Sequence, residues 1–105
     1  MEIKKNTEEK PEEKDSPNRF ADLQRRIGKF SIRRSFLYDH PEKVMLLMQR
    51  VIVVRCELLH LGDMFEYVAI SPDFESVPEG QVPPEYDGFF SRKEDGSFSF
   101  RWVKQ

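Results

Sequence analysis

A chain of 105 residues can bury one core but hardly two, so a single domain is expected. Hydrophobic residues make up 38% of it and charged residues 34%, and the formal net charge of −2 argues neither for nor against a polyanionic partner. No stretch approaches the roughly 18 uninterrupted apolar residues of a membrane span, no apolar run follows the N-terminal lysines, and the single cysteine, Cys56, suits a reducing compartment. The expectation is a cytoplasmic protein with no membrane partner.

Residues 1–16, MEIKKNTEEKPEEKDS, carry six acids and four lysines around Pro11, too little apolar area to offset the entropy of ordering them. They read as a disordered charged tail, and residues 17–105 as one α+β domain. Pro17 after Ser16 suits a first helical turn, and Phe20, Leu23, Ile27 and Phe30 then recur at helical spacing. An amphipathic helix over about 17–29 follows, with Gly28 at its end. From Phe30 the period changes to two, with Ile32, Phe36 and Tyr38 alternating with Ser31, Arg33 and Ser35, which predicts a strand over 30–38 with Arg34 as the discord.

The run 43–61 supports two readings. Asp39 as cap with Pro41 and Glu42 in a first turn would start a short helix ending near Arg50, since Val44 to Gln49 are mostly helix formers. Alternatively the whole run is one bent strand, favoured because no glycine or turn separates Arg50 from the β-branched Val51–Val54. Gly62 and Asp63 then predict a two-residue turn pairing Leu59 with Glu66, Leu58 with Tyr67 and Cys56 with Ala69, with Val54, Cys56, Leu58, Phe65, Tyr67 and Ala69 on a core face. Asp95 and Gly96 predict a second two-residue turn, pairing Lys93 with Phe98, Ser91 with Phe100 and Phe89 with Trp102.

Between the hairpins, residues 71–86 hold Pro72, Pro78, Pro83, Pro84 and Gly80, which bars a helix or a central strand. A loop this long is either a binding loop or an ordered crossover pinned by Phe74, Val77 and Val82. The sum is α+β, one N-terminal amphipathic helix packed on a curved four- or five-stranded antiparallel sheet. This order of elements resembles the cystatin-like shape, and Gln49, Val51 and Val53 stand at the spacing of the cystatin pattern Gln-x-Val-x-Gly, with valine in place of its glycine. The likeness is one of shape and implies no shared function.

No catalytic or cofactor motif emerges. Cys56 and His60, placed on one strand, would stand roughly 13 Å apart, too far for a nucleophile and its base. Metal binding would need Cys56, His40, His60 and a carboxylate to converge without ligand spacing. Glu57, Asp63 and Glu66 read as solvated hairpin charges, and the glycines at 28, 62, 80, 88 and 96 are isolated, so there is no phosphate loop. Phe89, Phe98, Phe100 and Trp102, flanked by Arg92, Lys93 and Arg101, have the composition of a base-stacking platform but serve equally as core. Phe90, on the other face, is expected at the surface.

Charge is unevenly placed: Arg19, Arg25, Arg26, Lys29, Arg33 and Arg34 oppose only Asp22, while residues 57–95 hold ten acids against Arg92 and Lys93. The reading is a small non-enzymatic binding or regulatory module, without cofactor or metal, that contacts a protein partner through the proline-rich loop and this polarised surface. Candidate contact residues are Arg25, Arg26, Lys29, Arg33, Phe74, Val77, Val82, Tyr86 and Phe90. The alternatives are nucleic-acid binding through the basic helix face, with Arg33 and Arg34 on the next strand, and a small-ligand pocket between helix and sheet.

Overall fold

The computed structural model describes residues 17–105, with side chains from residue 21 onward; the tail reading of residues 1–16 lies outside the described residues. The elements are α1 (Pro17–Arg25), β1 (Ile27–Arg33), α2 (Arg34–Asp39), α3 (Pro41–Met48), β2 (Ile52–Leu59), β3 (Met64–Ile70), β4 (Tyr86–Arg92) and β5 (Phe98–Lys104). This is an α+β domain in which, among the described residues, five strands form two antiparallel sheets, β1-β3-β2 and β4-β5. The sheets meet where the Lys29 N–H donates to the Pro84 carbonyl at 2.9 Å, beside a bridge to Glu85. The α+β class and the antiparallel strands stand as expected from the sequence; among the described residues three short helices and two sheets take the place of one N-terminal helix on one curved sheet.

Packing rather than propensity sets the first boundary. α1 ends at Arg25 because the Arg25 and Arg26 carbonyls accept main-chain bonds from Val77 and Ser71, which draw the chain into β1. Gly28 is therefore inside a strand, under aromatic rings: a Cβ there would lie 2.7 Å from Tyr86 Cδ2 and 2.9 Å from Phe74 Cδ2. The strand foreseen over 30–38 breaks at Arg34, where the chain coils into α2 and turns Phe36 and Leu37 toward the core. The bent strand over 43–61 is overturned as well. Pro41 opens α3, the helix formers carry it to Met48, and bonds from the Arg50 and Val51 amides to Leu47 and Met48 close the turn that no glycine marks.

Both hairpins form, each in a different register from the one read in the sequence. In β2–β3 the turn spans four residues, His60 to Asp63, and Gly62 and Asp63 both take positive φ, so Leu59 faces Met64 and Cys56 faces Tyr67. The slip is two residues, which preserves the face each side chain occupies. In β4–β5 the slip is one. Gly96, at φ 91°, donates its amide to the Lys93 carbonyl, the Lys93 amide donates to Ser97 and Asp95 Oδ1 accepts from the Ser97 amide. Glu94, Asp95 and Gly96 thus make a three-residue loop with a bulge, and Phe90 faces Phe100 while Phe89 faces Arg101.

That single step exchanges the roles of two aromatics. Phe90 packs inward against Phe36 and Phe100, whereas Phe89 is 46% exposed under the Arg101 guanidinium. The core proper is Phe30, Ile32, Leu47, Ala69, Phe74 and Tyr86, with Phe100 and Trp102 packed against it. The loop 71–85 is an ordered crossover pinned by Phe74 and Val77, both buried, but not by Val82, which is 77% exposed. Tyr86 Oη accepts a bond from the Glu75 amide at 2.9 Å, and the Arg50 guanidinium grips both oxygens of Asp73 at 2.7 and 2.9 Å.

Two outcomes follow for stability. Phe90→Ala is expected to cost about 2 kcal/mol, less than the roughly 3–5 of a fully buried ring, and Phe89→Ala under about 1 kcal/mol; equal midpoint shifts in urea would contradict the register. Hydrogen bonding to Arg50 holds the Asp73 carboxyl below its usual range. Its contribution is therefore complete above the ordinary carboxyl value and is lost as pH falls through the lowered one. Asp73→Asn should remove that step from an acid-unfolding curve.

Candidate functional site

The basic residues do not form one face. Arg25 is exposed on α1, Lys29 and Arg33 lie on β1, and Arg34 opens α2. Arg26 is half-buried, with Nε 3.0 Å from Asp22 and Nη1 donating to the Phe74 carbonyl at 2.9 Å. Lys29 Nζ lies 4.0 Å from Glu85 and Arg34 3.0 Å from Asp63. Much of the apparent polarity of the chain is thus spent within its own fold. Phe74, Val77 and Tyr86, foreseen as contact residues, are buried in the core, which removes them from any contact surface. Of the loop candidates only Val82 is exposed.

Phe90 lines a cleft of about 250 Å³ between β1 and β4, with Phe30, Ile32, Phe36, Leu47 and Trp102 among its walls. The Trp102 indole N–H is buried and has no partner among the described residues. The cleft lies between two strands and the short helices, where the sequence reading places a pocket between one helix and a sheet. Among the described residues no three of His, Cys, Asp and Glu converge as metal ligands would, and no helix is long and apolar enough to cross a membrane. Cys56 sits mid-strand and His60 in the following turn.

The sequence reading misses β2 as a surface. It treats Cys56 and its neighbours as core, and the structure corrects this: every residue of β2 from Ile52 to Leu58 is exposed, Cys56 included. Ile52 is 61% exposed, Val54 60%, Val53 41% and Leu58 38%. The reason is topological. β2 is the outer strand of β1-β3-β2, and the β4–β5 hairpin and α3 cover the far side of that sheet, over β1. A near-continuous apolar run such as Ile52–Val54 with Leu58–Leu59 is the signature of a strand covered on both faces. That signal is legible in the sequence; its mismatch with the strand's position is not.

The register assigns the faces. Cys56 faces Tyr67, which faces Phe30, so Cys56 and Leu58 share the core side of the sheet with Phe65 and Tyr67. Burial, and then the neighbouring Cys56, pushes the Tyr67 phenol above its ordinary value. Arg55 and Glu57 project from the other side, and Glu57 directly faces Glu66 of β3. A bulge puts Val54 and Arg55 opposite the single Val68, and regular pairing then runs from Arg55 to Leu59. Among the described residues no strand pairs with the outer edge of β2, which leaves a row of main-chain donors and acceptors flanked by apolar side chains.

Comparison with protein-family models, with curated proteins and with solved structures finds no match to this chain.

The neighbouring arginines Arg25, the last residue of α1, and Arg26, just after it, should behave differently. Arg26→Ala is expected to cost about 1.5 kcal/mol, since it breaks a charged hydrogen bond and leaves the Phe74 carbonyl without it. Arg25→Ala should stay within about 0.5 kcal/mol; chemical denaturation of the pair measures the difference.

Proposed function

We propose that the chain is a small, non-enzymatic, cytoplasmic protein-binding module whose contact is the outer edge of β2. The observation that supports this is a strand of Ile, Val, Cys and Leu exposed on both faces at the end of a sheet. Apolar side chains there gain free energy on burial, and an added strand satisfies the edge's main-chain groups at the same time. The proline-rich loop serves this reading as scaffold, because Phe74 and Val77 commit it to the core. Nucleic-acid binding is the weaker alternative, since Arg26, Lys29 and Arg34 are engaged with Asp22, Glu85 and Asp63.

A small-ligand reading has one observation of its own, the apolar cleft walled by Phe30, Phe36, Phe90 and Trp102. A ligand seated there would be apolar, and Trp102, the only tryptophan, would report it by fluorescence.

The test of the main reading is protein capture with the intact chain and edge variants. Val53→Lys and Leu58→Lys should abolish capture, while Glu79→Lys, on the part of the loop away from β2, should leave it intact. Capture lost with the loop variant and kept with the edge variants would return the contact to the loop.

A further inference from the structure

Building on the reading of β2 as the contact edge, we infer that its partner is a second copy of this chain, whose β2 pairs antiparallel with it across a two-fold axis beside Cys56.

Symmetry permits few registers. A two-fold relating two antiparallel strands of one sheet stands perpendicular to the sheet and keeps every side chain on its own face. It must therefore pass beside a residue that faces its own copy. Centred on Arg55 or on Glu57, the axis sets like charges directly opposite each other. Centred on Val54 or Leu58, it sets both charges against apolar side chains. Centred on Cys56, it sets Arg55 opposite Glu57 of the partner subunit, and Glu57 opposite the partner's Arg55. Facing opposite charges stabilise a sheet, and facing like charges do the reverse. Only this centre pairs both.

A second observation comes from one copy alone. Glu57 directly faces Glu66 within its own sheet, a like-charge pair that costs stability. Among the described residues Arg55, Glu57 and Glu66 make no ion pair. The partner's Arg55 arrives beside Glu57 on its open side and offsets that repulsion twice over, once per copy. The three central pairs fall within the regular part of β2, beyond the bulge at Val54. The product is a six-stranded sheet in which the exposed Leu58 and Cys56 of each copy gain neighbours across the axis.

Sedimentation of the full chain over a concentration series tests this. The wild type is expected to dimerise, and Arg55→Glu or Glu57→Arg alone to weaken the dimer at least about tenfold, because each turns two attractive pairs into repulsive ones. The equimolar mixture of the two variants restores opposite charges at every facing position and should recover the dimer, as should the double variant. Both residues are exposed, so the fold is expected to survive, and circular dichroism checks it. Oxidation by copper phenanthroline should link the wild type through Cys56 and fail to link Arg55→Glu. A dimer indifferent to the charge changes overturns the inference, as does a chain that dimerises only once residues 1–16 are removed. A chain monomeric throughout, whose Val53→Lys and Leu58→Lys variants nevertheless lose capture of another protein, overturns the second copy and leaves the edge reading standing. Indifference to all four substitutions overturns both.

Discussion

The stacked rings of Phe74 and Tyr86, with centroids 4.3 Å apart, tie a crossover loop to the first residue of β4, and Trp102 meets the edge of Phe74 at 5.1 Å. On this junction depends how the two sheets sit, since the main-chain link between them is the bond from Lys29 to Pro84. Gly28 is where the junction touches β1: with no Cβ, the strand admits the Tyr86 ring against its backbone. From Trp102 the aromatic contacts continue through Phe30 to Tyr67, at 4.8 and 5.1 Å. There they stop, one strand short of the sheet's outer edge. The same packing that fixes the hairpin over β1 therefore leaves β2, among the described residues, uncovered.

Much of this was legible in residue patterns, and the failures are instructive. Both hairpins were readable from Gly62–Asp63 and Asp95–Gly96, because the positive φ taken at Gly62, Asp63 and Gly96 has few other suppliers. Turn length was not readable. The two-residue slip in β2–β3 left faces unchanged, while the one-residue slip in β4–β5 exchanged Phe89 with Phe90. Gly28 looked like a helix end because local sequence cannot reveal that Tyr86 comes to rest on it. The start of α3 was legible in Pro41, yet the β-branched run after Arg50 argued for one continuous strand until tertiary hydrogen bonds supplied the turn.

The same limit applies to the candidate surface. Apolar character marks a residue as wanting burial and says nothing about which molecule supplies the cover. Phe74, Val77 and Tyr86 obtain it from their own chain. Charge behaved likewise. The bases of α1, β1 and α2 and the acids of the second half suggested a polarised exterior, but Arg26, Arg34, Arg50 and Lys104 each meet an acid of the fold. Such exposed pairs add little stability individually; their effect here is to neutralise what a polyanion would otherwise find.

An uncovered apolar edge is a hazard, and sheets commonly blunt it with a lysine, a proline, a bulge or a covering helix. Among the described residues β2 has the bulge and none of the others: its one cation, Arg55, is followed two residues later by Glu57, and the strand holds no proline. A bulge at one end twists that end away and leaves the remainder, Arg55 to Leu59, able to pair. Protection that covers half a strand restricts where pairing begins without preventing it. Alternation of Arg55, Cys56 and Glu57 then discriminates among the registers still open, since only one sets each charge against its opposite. A strand that accepts a specific second strand needs some element that rejects the wrong alignments, and Arg55 with Glu57 supplies one.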